Sequence, residues 1–273
     1  MMPRPFQLAP TMSNGSLTAD LQLWFETPLG AYLLASEQAY FDREVVDVFG
    51  FNALQLGLSR QDFLRANRMP LHCRLGAPGP DDQGAAKVRS DFHALPILSN
   101  SADLVLLPHV LEFSDSPHQV LREVVRILRP EGHVIVSGFN PWSLWGARQA
   151  FDRRREQIPW CGQFINLPRL KDWMALLGIE IAAGRMCCYI PPVVSERWIE
   201  RAAFLEAAGD RWWPFAGGVY FLHGVKRVQG VRVIMPQWKT TRASKSKALA
   251  TIPQRVHDGE EQLAARSRER HDT

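Results

Sequence analysis

Along most of the chain, short apolar runs alternate with longer stretches whose apolar residues recur every three or four positions, a pattern that predicts strands and amphipathic helices in turn. The sharpest instance lies between Asp91 and Gly138. Asp103 to Leu107 (Asp-Leu-Val-Leu-Leu) is a run of strand length, apolar enough for a strand covered on both faces of a parallel sheet. Ser116, Pro117 and Gln119 then predict a capping box at a helix start. Val120, Leu121, Val124, Ile127 and Leu128 form one helical face, with Arg122, Glu123, Arg126 and Arg129 on the other. Pro130 and Gly132 are expected to end that helix, and His133 to Gly138 reads as a second strand. A connection that holds a helix makes the two strands parallel and the crossover right-handed.

The remaining elements fit around this βαβ unit. Leu17 to Phe49 predicts two helices broken near Thr27-Pro28, which would cover the sheet. Ala53 to Leu58 predicts the first strand and its exit turn, Arg60 to Ala66 a short helix, and Leu71 to Leu75 and Ala86 to Phe92 two more strands. After the central unit come a helix over Ser143 to Phe151, another over Leu167 to Leu177 capped by Gly178, and a strand over Ile179 to Ala183 that resumes at Met186. A helix over Ser195 to Ala208 and a last strand within Gly217 to Val228 complete the body. Alternating strands and helices indicate a doubly wound α/β sheet.

A chain of 273 residues with 46% apolar composition can bury one sizeable core. Charge changes the picture only at the end. From Lys226 onward Lys and Arg exceed Asp and Glu by six, whereas the whole chain is only +4, so the rest is near −2. The division expected is a domain over 1–228 and a basic, disordered tail over 229–273. Cys73, Cys161, Cys187 and Cys188 lack metal-ligand spacing and are read as reduced, and no metal site is expected. Neither a secretory signal nor an apolar run long enough to span a membrane is found, so a cytoplasmic protein is expected.

Several spaced segments in order resemble the class I S-adenosylmethionine-dependent methyltransferases of the type 11 branch. They are Asp91-Phe92-His93-Ala94-Leu95-Pro96, Asp103 to Leu107, His109-Val110-Leu111-Glu112, and Leu121-Arg122-Glu123 through Leu128-Arg129-Pro130-Glu131-Gly132. The resemblance implies a mostly parallel seven-stranded, Rossmann-like sheet with an N-terminal helical cover, and S-adenosylmethionine as methyl donor bound across the carboxyl ends of the strands. Residue by residue, it implies that Gly57 lets the backbone approach the donor, with Gln55 where the family has an acid and Ser59 and Gln61 where it has glycines. Asp91 would accept from the adenine amino group and Phe92 would pack on the ring. His109 is the candidate for a donor contact or a general base, an ordinary loop histidine being the competing reading.

The chemistry asks for little beyond alignment, because the methyl group already sits on a sulfonium and proximity supplies much of the rate. Asn140 and Trp142 are candidates for the acceptor wall, and Trp212-Trp213-Pro214-Phe215 reads as core filling. Three functions are consistent with these residues: methyl transfer to a small molecule, a methyltransferase fold kept as a binding or scaffold module, and a nucleic-acid methyltransferase using the tail. The first is the leading one. The sequence leaves the acceptor and the oligomeric state open.

Overall fold

A computed structural model of the chain describes residues 20–77, 88–151, 158–192 and 204–228. After a short helical segment at 20–24, Thr27 caps helix α1 (Pro28–Glu44). Its Oγ accepts from Gly30 N at 3.1 Å, and Pro28 occupies the first turn. The break expected at Thr27-Pro28 is this cap.

The strands are β1 (Asn52–Leu56), β2 (Leu71–Gly76), β3 (Val88–Arg89), β4 (Ala102–Pro108), β5 (Leu128–Phe139), β6 (Ile179–Cys187) and β7 (Val219–Lys226). They make one sheet of order β3-β2-β1-β4-β5-β7-β6. β1, β2, β3, β4 and β5 pair in parallel, while β7 runs antiparallel to both β5 and β6. This is the mostly parallel, doubly wound sheet the sequence predicts. A 3₁₀ turn (Leu111–Phe113) and helix α2 (Pro117–Ile127) connect β4 to β5. Helices α3 (Leu144–Phe151) and α4 (Leu167–Leu176) lie between β5 and β6, and α5 (Phe204–Trp212) between β6 and β7.

Alternate residues of the central strands serve opposite layers. Leu54, Leu56, Val105, Leu107, Val134 and Val136 bury against Val120, Val124 and Ile127 of α2 and Leu170 and Met174 of α4. Ala53, Leu104, Leu106, Ile135 and Phe221 bury against Leu33, Tyr40 and Phe41 of α1 and against Phe63 and Leu64. A strand covered on both faces needs apolar residues at every position, which is why Asp103–Leu107 carries no alternation. Each such side chain contributes about 1.5–3 kcal/mol of burial.

Four expectations need correction. Residues 58–67 form turns, not a helix. Ser116 makes no side-chain cap bond, and Gln119, its expected capping partner, donates from Nε2 to His93 O at 3.4 Å. The helix ends at Ile127 rather than at Pro130, since Leu128 already lies in β5 and Ala102 pairs with it. Finally β6 is one strand with an irregularity between Ile181 and Ala183, not two pieces. The helix expected to start at Ser195 is described from Phe204 on, its first half lying outside the described residues along with the whole tail.

Candidate active site

Strand order reverses between β1 and β4, and in an open sheet the strand ends diverge at such a point and leave a crevice. Here the crevice is a narrow cleft lined among others by Leu21, Gly57, Leu58, Phe92, His109 and Phe113. Gly57 has φ +75°, and a Cβ added to it would sit 2.9 Å from Val110 Cγ2, so glycine is required on both conformational and steric grounds. Leu58 follows with φ +42°.

Gln55 is completely buried, on the α1 side of β1. Its Nε2 lies 3.2, 3.1 and 2.9 Å from the carbonyl oxygens of Gly57, Leu58 and Gln61, and its Oε1 accepts from Phe63 N at 3.0 Å. The carboxamide is therefore used up in holding the turn after β1. Gln55 reaches the site through that turn, and the role of direct donor ligand does not fit its bonding. The same bonds explain the absent helix: a compact turn knotted on one amide replaces it.

His109 differs most from expectation. It leaves β4 with φ +50° and is buried between two carboxylates, Glu37 Oε1 at 2.8 Å from Nε2 and Glu112 Oε2 at 2.9 Å from Nδ1. Burial opposes the imidazolium, but Glu37 and Glu112 outweigh it and push the pKa up to about 10. Both ring nitrogens are engaged by carboxylates, so the geometry gives His109 the place of a clamp between α1 and the 3₁₀ turn. Glu112 also accepts the backbone N–H of Phe139 at the end of β5. The clamp thus joins α1, β4, the 3₁₀ turn and β5. Sequence reasoning passed over Glu37, although its place four residues after Leu33 on the buried stripe of α1 was a signal: a carboxylate there needs a buried partner.

Asp91 and Phe92 follow β3. The Phe92 ring is buried and lines the cleft, while the Asp91 side chain is 60% exposed at the rim. Asp91 Oδ1 accepts from His93 N at 2.9 Å and lies 2.7 Å from His93 Nδ1, and these contacts hold its carboxyl below the usual range. His93 Nε2 lies 3.1 Å from Ser114 Oγ, so His93 ties the rim after β3 to the segment after β4. That positioning role of His93 was not read from the sequence.

Asn140 is buried beyond β5. Its Nδ2 donates to the carbonyls of Phe215 and Gly217 at 3.0 and 2.9 Å, and its Oδ1 accepts from Trp142 N at 3.0 Å. It fastens the β5 exit to the chain entering β7, and its amide is not available as an acceptor wall. Trp142 is 75% exposed. Trp212, Trp213 and Phe215, expected in the core, are also exposed, whereas Trp145 and Trp160 are buried in it, and Trp145 donates to Ile190 O.

For S-adenosylmethionine the residues fit at one end. An apolar slot at Phe92 suits adenine, and the exposed Asp91 carboxylate of the preceding residue has both His93 hydrogen bonds on Oδ1. At the amino-acid end the cleft offers the Gly57 turn. β2 ends at Gly76 and Ala77 with no acid for the ribose, and Asp81 and Asp82 lie outside the described residues. Among the described residues no cluster of His, Cys, Asp and Glu could hold a metal ion.

Comparison with known proteins places this geometry. Residues 75–136 match the family model described as a methyltransferase domain, type 11. An uncharacterized protein of Escherichia coli, YafS, is 30% identical over 159 residues, which is 58% of this chain and 65% of that protein. An uncharacterized protein of Mycobacterium tuberculosis is 24% identical over 196 residues, 69% of this chain and 67% of that one. The chain thus spans just under two thirds of the length of its Escherichia coli relative. Among solved structures, a Thermotoga maritima S-adenosylmethionine-dependent methyltransferase superposes with TM-score 0.55 at 16% identity, covering 78% of this chain and all of that one. A Haloferax volcanii structure, a complex with the Trm112 methyltransferase activator, gives 0.54 at 16% identity, covering 78% and 99%. The fold is that of the class I S-adenosylmethionine-dependent methyltransferases, and residues 75–136 are similar to the type 11 methyltransferase domain.

Proposed function

We propose that the chain transfers a methyl group from S-adenosylmethionine to a small-molecule acceptor. The observation that carries this is the coincidence of Gly57 and Phe92 around one cleft at the switch point of a methyltransferase fold, with Asp91 next to Phe92 in the chain. The donor brings an activated methyl on a sulfonium. The chain's part is to seat and align it. Phe92 packs on the base, Asp91 accepts from its amino group, Gly57 admits the backbone, and Leu21, Leu58 and Phe113 exclude water. With both His109 nitrogens bonded to carboxylates, the acceptor atom in this reading is one that needs no proton removed by that residue.

Calorimetric titration with S-adenosylmethionine and its demethylated product tests the reading: saturable heat is expected from both, and none from folded protein would refute it. A second reading, a methyltransferase fold that binds without transferring, is favoured by the closed turn on Gln55 and the immobilised His109. Donor binding with no methylated product across candidate acceptors would select it. No helix among the described residues is long and apolar enough to cross a membrane. The four free cysteines suit the reducing cytoplasm in which we place the protein.

A further inference from the structure

On the far side of the Asn140 clamp lies a groove that the donor cleft does not use. It is open to solvent and runs between α4, the end of β6 and the turn after α5. Gly184, Met186 and Leu222 lie along it, and Leu167 and Phe215 stand beside it. The hollow exists because β6 has no side chain at Gly184: a Cβ there would meet Leu222 Cδ2, its cross-strand neighbour, at 3.3 Å. An apolar trough in a sheet face is ordinarily filled by a helix or by a ligand.

Two features select the ligand. Lys171 and Arg185 border the groove, against one lining carboxylate, Asp210. Asp210 sits 3.8 Å from Arg185, beyond hydrogen-bond reach, and Lys171 has no bonded partner among the described residues. The margin therefore carries uncompensated positive charge next to an apolar floor. Beside it, Trp213 and Phe215 are 61% and 79% exposed, an aromatic surface of the kind that marks contact with apolar molecules. Asn140 fixes Phe215 to the exit of β5, on the strand-end side of the sheet that also holds the donor cleft.

We propose that this groove binds a single-chain amphiphilic anion, its apolar chain over Gly184, Met186 and Leu222 and its anionic head at Lys171 and Arg185. The binding does not rest on the function proposed above.

The test uses the full chain without donor and monomeric dodecanoate below its micelle concentration as the probe, with dodecyltrimethylammonium as a probe of equal length and opposite charge. Dodecanoate is expected to bind saturably, and at least about tenfold more tightly than the cation, as a charge-assisted contact requires. Lys171→Glu and Phe215→Ser alter exposed side chains, so both should fold as wild type by circular dichroism; each should weaken dodecanoate binding, the first at least about tenfold. Equal binding of the two probes, or unchanged dodecanoate affinity in Lys171→Glu, overturns the inference. So does sedimentation with phosphatidylglycerol vesicles in the absence of monomer binding, which would indicate a membrane-docking surface instead. Calorimetry with S-adenosylmethionine on the same samples keeps the two ideas apart: dodecanoate binding is expected whether or not the donor binds.

Discussion

Between Glu37 and Glu112 the His109 ring has no nitrogen left for chemistry, yet its charge should govern how stability responds to pH. Its folded pKa, about 10, lies above the ordinary histidine value near 6.5. The folded state therefore holds a proton that the unfolded chain gives up, and the clamp's stabilisation is fully present below about pH 6.5 and lost as pH rises through about 10. Chemical denaturation from pH 6 to 10 should show this decline. In His109→Gln it should be absent, with stability at pH 6 lower by about 3–5 kcal/mol because two buried carboxylates lose their counter-charge. An equally steep decline in the variant would mean that other groups cause it. Asp91 is the opposite kind of residue, its carboxyl exposed and bonded locally to His93. Asp91→Ala should leave the melting temperature unchanged and weaken donor binding by about 1–2 kcal/mol, at the lower end for a charged hydrogen bond because water screens the rim. Unchanged affinity by calorimetry would place the adenine elsewhere.

The connection from β1 to β2 is the element in which this chain departs furthest from the family it resembles. Its turn is organised from inside, by one carboxamide that both donates and accepts. Restoring an acid there is consequently not a repair. Gln55→Glu would set a buried carboxylate against the carbonyl oxygens of Gly57, Leu58 and Gln61. The expected cost is about 3–5 kcal/mol in urea denaturation, that of an uncompensated buried charge, with no gain in donor affinity. A stable Gln55→Glu protein that binds the donor more tightly would show that the turn can reopen into the helix-bearing form. By contrast, α2 and β4 follow their sequence signals closely, since Val120, Leu121, Val124 and Ile127 make a face that only a sheet can cover.

Among the described residues, those that line the donor cleft, the clamp and the groove all precede Arg227. Removing residues 229–273 should therefore leave donor binding and the melting transition of the body unchanged. Any salt-sensitive RNA or DNA binding by the full chain should disappear with the tail, since neutralised phosphates make such binding fall steeply with salt. Retained salt-sensitive binding after truncation would move the nucleic-acid contact onto the folded body.

Sheet class and parallel pairing, the βαβ unit and the methyltransferase resemblance were legible in the sequence, because each depends on periodicity and on residues close together in the chain. Asp91, Phe92 and Gly57 were legible for the same reason: their place follows from where a strand stops. What Gln55, His109 and Asn140 do was decided by tertiary structure. Each is polar, buried and bonded to partners that sequence distance conceals: Glu37 is 72 residues from His109, and the Gly217 carbonyl is 77 from Asn140. A polar side chain near a strand end reads the same in sequence whether it faces a ligand or secures the backbone. Only burial and the identity of its partners separate the two, and both arise when the sheet brings α1, the β1 turn and the β7 entrance to one edge.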